Sequence, residues 1–375
     1  MPVVKFTFDK KLINDFINFG YELYKNDSQW IPPFRHELYY QLTECNPFFK
    51  QQGNIHQNFI VYRDNYVTGR VSAIINNKYC NGNDTDMGML GFFDCINDKS
   101  VSSELLSAAI EWLSKKGVKT IIGPMNFDIW NGYRIMTKGF DQSIFMGEPY
   151  NKPYYKELLE ISGFKTGHTW NSIEISDKEI LNKVIAKGKI RYDNLLNKGY
   201  RFESFDIKNF EQEIRKLYTI LTNSFSKFHY FYEISFDDFF KYYSKAIHAL
   251  RPGFFNFIYD EKNKLSGFTG MLLDLSEALR VMKGKYNLIS KLRFAIKKNR
   301  SRRVLFYIAG FTKEEALKKS GLGRAGLYYQ TKTVFDQGIY DIIFALMSEE
   351  NIVQGFFSAF ADQYKREYTL YKLEL

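Results

Sequence analysis

One order of secondary structure is written twice along this chain, and it limits the fold more than any other feature. In the first half, "LINDFINFGYELYK" has helical spacing of its apolar residues. "NFIVYRDNYVTGRVSAIIN" reads as two strands joined by a turn at Arg63–Asn65, and "MGMLGFFDCI" as a third strand. "SVSSELLSAAIEWLSKKG" is a helix with a Ser or Asp cap, apolar Leu105, Leu106, Ala109, Trp112 and Leu113, and Gly117 as its stop. A buried strand "VKTIIGPMN", a short helix "YYKELLEISGF" and a strand "TWNSIEI" follow. The second half has helices at "EIRKLYTILTNSF" and "SFDDFFKYYSKAI", then strand, turn and strand in "FFNFIYDEKNKLSGFTGMLLDL". A strong strand "RVLFYIAGFT", a helical region "AGLYYQTKTVFDQGIYDIIFAL", a helix "NIVQGFFSAF" and a last strand "EYTLYKLEL" complete it. No residue-level repeat accompanies the repeated order. The 375 residues exceed what one core usually serves, so the pattern predicts two α/β domains. The polar, charged stretch from Ser176 to Lys189 marks the linker region.

Hydrophobic residues make up 45% of the chain and aromatics 18%, enough to fill two cores and to exclude disorder. No apolar run has the length of a membrane-spanning helix, and "MPVVKFTFDKKL" has no signal-peptide core, which predicts a cytoplasmic protein. Cys45, Cys80 and Cys95 are too scattered for a disulfide framework or a zinc site, and the five histidines show no metal-ligand spacing. The net charge of +10 is concentrated. From Lys283 to Arg303, "KGKYNLISKLRFAIKKNRSRR" has nine basic residues and no acid. Such a segment can face nucleic acid, an anionic membrane or an acidic protein; otherwise it is a solvated helix with Leu288, Ile289, Leu292 and Ile296 as its buried stripe.

The stretch Lys318 to Gly326, "KKSGLGRAG", lies between a strand and a helix. Glycines there let backbone amides approach an anion, and the helix N-terminus adds partial positive charge. A dinucleotide fold would put such a loop after the first strand of a βαβ unit, and a P-loop would end in Gly-Lys-Ser/Thr. Neither condition is met. Lys318-x-x-Gly321-x-Gly323 resembles instead the Arg/Gln-x-x-Gly-x-Gly/Ala motif with which the GNAT acyltransferase superfamily cradles the pyrophosphate of acyl-CoA. Lys318 stands where that family usually has Arg or Gln, and the loop from Thr312 to Lys319 is longer than usual. Asn351 in "SEENIVQGFF" stands where the family commonly has an Asn after the next strand. In the first half, "DSQWIPPFRHE", "NPFF", "TGRVSAIIN", "IIGPMNF", "GFD" and "YNKPYYKELLEISGF" resemble, in order and spacing, a group of bacterial tandem GNAT-like proteins.

The resemblance implies two GNAT-like domains, each a mixed, mainly antiparallel central sheet flanked by helices. On this reading residues 1–176 form the N-terminal domain, 177–199 the linker region and 200–375 the C-terminal domain. The first-half loop "NDKSVSSELL" has no glycine and carries Asp98, a poor pyrophosphate cradle, so the donor site is assigned to the second half. The implied donor is an acyl thioester, on CoA or on an acyl carrier protein, with no metal, and the implied acceptor is an amine of a small molecule. A splayed strand would supply an amide to the thioester carbonyl, with Ala309, Gly310 and Phe311 as candidates. Lys318, Lys319, Ser320, Gly321, Leu322, Gly323, Arg324, Ala325 and Gly326 would hold the phosphates. Tyr328, Asp274, Glu277 and Tyr364 are the candidate acids and bases; each also reads as a cap or a core residue. "GPMNFDIWNGYR" and "YNKPYYK" either line an acceptor pocket or pack as loops. An acidic acyl carrier protein would dock at Lys283–Arg303. The alternatives are aminoacyl transfer from tRNA, as in Fem-type enzymes, and a non-catalytic binding protein that kept the fold.

Overall fold

The computed structural model describes residues 3–80, 86–226, 228–318, 320–349 and 365–375. In chain order the elements are β1 (Val4–Phe6), α1 (Lys10–Tyr24), α2 (Arg35–Gln41), β2 (Ile55–Arg63), β3 (Tyr66–Ile75), β4 (Met87–Cys95), α3 (Lys99–Lys115), β5 (Thr120–Gly123), β6 (Ile135–Lys138), α4 (Tyr155–Ile161) and β7 (Lys165–Ile175). Then come α5 (Lys178–Asn197), β8 (Arg201–Ser204), α6 (Phe210–Phe225), α7 (Phe236–Ser244), β9 (Phe255–Tyr259), β10 (Leu265–Leu273), α8 (Ser276–Arg280), α9 (Leu288–Lys298), β11 (Arg303–Phe311), α10 (Lys313–Lys318), α11 (Leu322–Asp336), β12 (Asp341–Ser348) and β13 (Lys365–Glu374). The fold is mixed α/β, as the repeated element order predicts, with the mainly antiparallel sheet that the resemblance implies. The expected helix "NIVQGFFSAF" lies outside the described residues.

The chain divides into two compact units whose borders differ from the expected ones. One takes the described residues up to Trp170 together with Ser276–Lys297 and Arg366–Leu375; the other takes Asn171–Leu275 and the described part of Lys298–Lys365. The final strand therefore leaves the second half: β13 pairs antiparallel with β5, Tyr371 opposite Gly123. The expected linker 177–199 is instead a helix, α5. Asp177 caps it by accepting from the Glu179 and Ile180 amides, and Leu181, Ile185 and Leu195 are buried along it. Its polar residues are the solvated face of an amphipathic helix, which composition alone does not separate from a loop.

In the first unit the strand order is β1-β2-β3-β4-β5-β13, with β6 beside β13. The β2–β3 turn has positive φ at Asp64 and Asn65, the backbone of a two-residue type I′ hairpin. Asp98 caps α3, which buries Val101, Leu105, Leu106, Ala109 and Leu113 against Phe59, Val71 and Leu90. In the second unit the order is β12-β11-β10-β9-β8. In both units one neighbouring pair is parallel, β4–β5 and β11–β12, and a helix connects its strands: α3 in the first, α11 in the second.

The basic helix α9 forms, but its expected buried stripe does not. Leu288, Ile289, Leu292 and Ile296 are exposed, while Ser290 is buried and Phe294 half-buried. The helix start explains the choice of face. The Ser290 amide donates to Asn287 Oδ1 at 2.9 Å and the Asn287 amide to Ser290 Oγ at 3.0 Å, a reciprocal cap that turns Ser290 inward. No helix among the described residues is long and apolar enough to cross a membrane.

Candidate functional site

The second unit opens its sheet between the two parallel strands. β11 and β12 pair only from Arg303–Asp341 to Phe306–Phe344. Beyond that, β11 keeps its antiparallel partner: Ile308 faces Gly270, Ala309 faces Thr269, Gly310 faces Phe268 and Phe311 faces Gly267. Phe306 faces Met271, so Tyr307 is an extra residue, a β-bulge at the point of separation. Leu346 in β12 has φ +54°, which turns that strand as well. Ala309, Gly310 and Phe311 thus lie in the opened segment, but the opening starts at Tyr307, two residues earlier than the sequence candidates. Gly270 in the middle of an apolar strand was the available signal, since a lone glycine in a strand often marks a bulge.

The glycine stretch follows that strand. Gly321 has φ +83° and is the N-cap of α11. Ser320 Oγ accepts from the Leu322 amide at 3.3 Å, and the Ala325 amide closes the first helical bond on the Gly321 carbonyl at 3.1 Å. Gly323 belongs to the first turn, so its amide has no intrahelical acceptor. Among the described residues a Cβ on Gly323 would meet only the Phe311 ring, at 3.6 Å. Leu322 and Ala325 are core residues, packed with Leu195, Tyr200 and Ile258. Gly326 is also structural: a Cβ there would sit 2.8 Å from Thr269 Cγ2, so its absence lets α11 lie close on β10.

Lys318 has other partners than a phosphate. Its ammonium bonds Glu315 at 3.0 Å and Glu314 at 3.2 Å, and those bonds hold it well above the usual lysine range. Glu315 is buried and also accepts from Tyr200 Oη at 3.0 Å. A basic residue that the sequence did not single out packs at the cradle: Cδ of Arg191 on α5 would lie 3.1 Å from a Cβ on Gly321. Arg324 is exposed beside it. Lys319 and Asn351 lie outside the described residues.

The candidate acids and bases separate. Tyr328 packs into the α5–α11 contact, 2.5 Å from where a Gly188 Cβ would stand and 5.2 Å from the Tyr192 ring. Glu277 is exposed on α8, in the first unit. Tyr364 lies outside the described residues. Asp274 is buried and bonded to Arg303, with 2.8 Å from Nε and 2.6 Å from Nη2. Arg303 also reaches Glu174 at 3.4 Å. The fourth member of this cluster is Asp341, whose Oδ1 is buried with no hydrogen-bond partner. Burial, and then the Glu174 charge, push its carboxyl up to about 7, against the pull of Arg303. Strand alternation assigns the cluster a face. A Cβ on Gly310 would meet Phe225 of α6, and Gly310, Ile308 and Leu305 face Phe268, Gly270 and Leu272, alternate residues of β10. Arg303 is two residues from Leu305, and Asp341 is its pair, so both share the α6 face.

The first unit has the same opening, filled from within. β4 and β5 pair only from Met87–Thr120 to Met89–Ile122, and Phe92 has φ +51° where the β3–β4 register shifts. The chain after β5 then folds into the gap. The Met125 amide donates to the Leu90 carbonyl at 2.7 Å, and Asn126 Oδ1 accepts from the Phe92 amide at 2.7 Å. Asp98 takes the Ser100 and Val101 amides of α3, which puts an anion where a phosphate would sit. The rest of "GPMNFDIWNGYR" is packed too: the Arg134 guanidinium stacks 4.2 Å from the Tyr133 ring and 4.6 Å from the Trp170 ring. Among the described residues no group of His, Cys, Asp and Glu could hold a metal ion.

No protein-family model matches the chain. It is 30% identical over 168 residues to Protein YghO of Escherichia coli K12, a match over 44% of this chain and 42% of that one. The chain thus spans under half the length of the curated relative it matches. Among solved structures it resembles a tandem GNAT protein from the clavulanic acid biosynthesis pathway, at TM-score 0.52 and 10% identity over 99% of this chain and 98% of the other. A glucosamine N-acetyltransferase region of a fungal multi-domain β-N-acetylglucosaminidase also has TM-score 0.52, at 12% identity, over 99% of this chain and 38% of that one. These likenesses establish a tandem GNAT-type fold.

Proposed function

We propose that this chain is an N-acyltransferase that moves an acyl group from a thioester, on CoA or an acyl carrier protein, to an amine of a small molecule. The observation that carries the reading is an asymmetry. Both units part their parallel strands at a bulge, but the helix that follows is capped by the Asp98 carboxylate in the first and by Gly321, with no side-chain bond, in the second. The first turn of α11, with Ser320, Gly321, Gly323 and Arg324, would hold the pyrophosphate, with Arg191 as the nearby cation. The pantetheine arm would run as an extended strand between β11 and β12, and a backbone amide from Tyr307–Phe311 would take the developing oxyanion. The amine nitrogen bonds the carbonyl carbon and gives up a proton to a base, the C–S bond breaks, and the leaving thiolate takes that proton back from the base. Asp341 is the proton acceptor we favour. It stands three residues before Phe344, about 10 Å along the strand, so the proton would pass through water or the acceptor itself.

Calorimetric titration with CoA and acyl-CoAs, beside Gly323→Tyr, tests this reading. A Cβ at this position makes only ordinary contact among the described residues, so the variant should fold and lose binding. Equal binding by both proteins would remove the phosphate role. No binding by the native protein would leave carrier-protein or tRNA donors, or a chain without turnover, which assays with those donors distinguish.

A further inference from the structure

We infer that α9 is an interfacial anchor that seats this chain on an anionic lipid bilayer. The inference stands apart from the acyltransferase reading and rests on the first unit alone. Leu288 is 83% exposed, Ile289 64%, Leu292 62% and Ile296 54%, with Tyr286 at 60% just before the helix. At 100° per residue these four aliphatics span one quadrant of the helix, from Leu288 through Leu292 and Ile296 to Ile289. The buried Ser290 points the opposite way, so the apolar quadrant faces away from the protein. Cations flank it on both sides: Lys291 on one, Arg293 and Lys297 on the other. That is the section of a helix lying in a membrane plane, with aliphatics in the acyl boundary and long basic side chains reaching back to headgroups.

Two further observations point to lipid. The helix is already formed and capped, so seating it requires no folding step. Beside it opens a cavity of about 410 Å³ lined by Lys283, Arg293 and Lys297 together with Val281 and Ile296, a mixture that suits a phosphate headgroup with its glycerol end. No acid occurs from Lys283 to Arg303 to cancel the field, and among the described residues Lys283, Arg293 and Lys297 have no carboxylate partner. An acidic carrier protein would also be attracted by the charge. A planar surface alone makes use of the whole apolar quadrant and of both basic flanks at once.

The test is flotation of the full chain with phosphatidylcholine vesicles and with vesicles containing 30% phosphatidylglycerol, using the native protein, Leu292→Asn/Ile296→Asn and Arg293→Gln/Lys297→Gln. The native protein should float with anionic vesicles only. The apolar double variant should bind more than tenfold more weakly, and each neutralised cation should weaken binding roughly fivefold. Because these side chains are exposed, melting temperatures should not change, and a Tyr286→Trp variant should show a blue-shifted emission on anionic vesicles. Equal flotation of native and apolar variant would overturn the proposal. So would absent flotation, whether the apolar variant then dissolves a self-associated form in light scattering or loses docking of an acyl carrier protein.

Discussion

Replacing Gly188 by alanine should destabilise the second unit, although the substitution favours its helix. In an exposed helix interior Gly→Ala gains about 1 kcal/mol. Gly188, however, is where α5 meets α11. Its new Cβ would stand 2.5 Å from Tyr328 Cβ and 2.7 Å from the Arg324 carbonyl oxygen. Neither atom can rotate away, so the helices must part. Overpacking of this kind costs about 1–3 kcal/mol and more where backbone has to move. With a Cβ and a backbone oxygen as the obstacles the cost falls in the upper part of that range, about 2–3 kcal/mol, which leaves a net loss of about 1–2 kcal/mol. For a domain of this size that lowers Tm by about 2–8 °C. Lys187→Ala, one residue away and exposed, should leave Tm within about 1 °C. Differential scanning calorimetry reads both. An unchanged or raised Tm in Gly188→Ala would mean that α5 does not sit on α11 as described. Because Arg324 and Gly321 belong to the start of α11, the same variant should also weaken CoA binding.

Asn126→Ala leaves the Phe92 amide without its acceptor, so the first unit should lose about 1–3 kcal/mol while the CoA dissociation constant stays unchanged; a weakened CoA affinity would put the donor in the wrong unit. Arg191→Ala should raise that constant severalfold in calorimetry and Lys318→Ala should not, because Glu314 and Glu315 already hold the Lys318 ammonium; the reverse ranking would restore the sequence assignment. The Asp341 carboxyl is raised in the folded protein, so its stabilising contribution is complete below the unfolded carboxylate range of about 4 and is lost as pH rises through about 7. Tm should fall over that window and fall less in Asp341→Asn, whereas turnover should rise with pH as the base ionises and drop about 100-fold or more in the variant; a turnover profile that the variant leaves unshifted would remove Asp341 from the chemistry.

The fold was largely legible because its signals are local. The turn at Arg63–Asn65, the Asp98 cap and the stop at Gly117 are each written in a few residues, and the structure places an element border at each. What escaped was mostly non-local, the exception being "DIIFAL", read as part of the preceding helical region but folded as β12. That β13 completes the first unit is a pairing over some 250 residues, and no spacing carries it. The buried stripe assigned to α9 failed for a related reason: periodicity fixes that a helix has an apolar face but not which face meets the protein. Within the site, glycine identity pointed to the loop, but not to which glycine does what. Gly321 is required by its φ, Gly326 by the nearness of Thr269, and only Gly323 is left without such a constraint among the described residues. Asp341 and Arg191 were invisible, since each gains its setting from strands or helices far off in sequence.

The two units argue for one another's roles. A bulge followed by parted parallel strands leaves backbone groups that need partners, and a protein can supply them from within or keep them for a ligand. The first unit supplies them: Asn126 takes the Phe92 amide, and Asp98 takes the helix amides. Both solutions stabilise that unit, and the second unit departs from the second of them, since Gly321 caps α11 with no side-chain bond. Its buried cluster departs in the same way. Asp274 and Glu174 share one arginine, while Asp341 Oδ1 is left without a hydrogen bond on the face of the sheet that the opening shares. A carboxyl raised to about 7 with one buried oxygen left without a hydrogen bond among the described residues costs stability, and on the proposed reading its role as proton acceptor accounts for that cost.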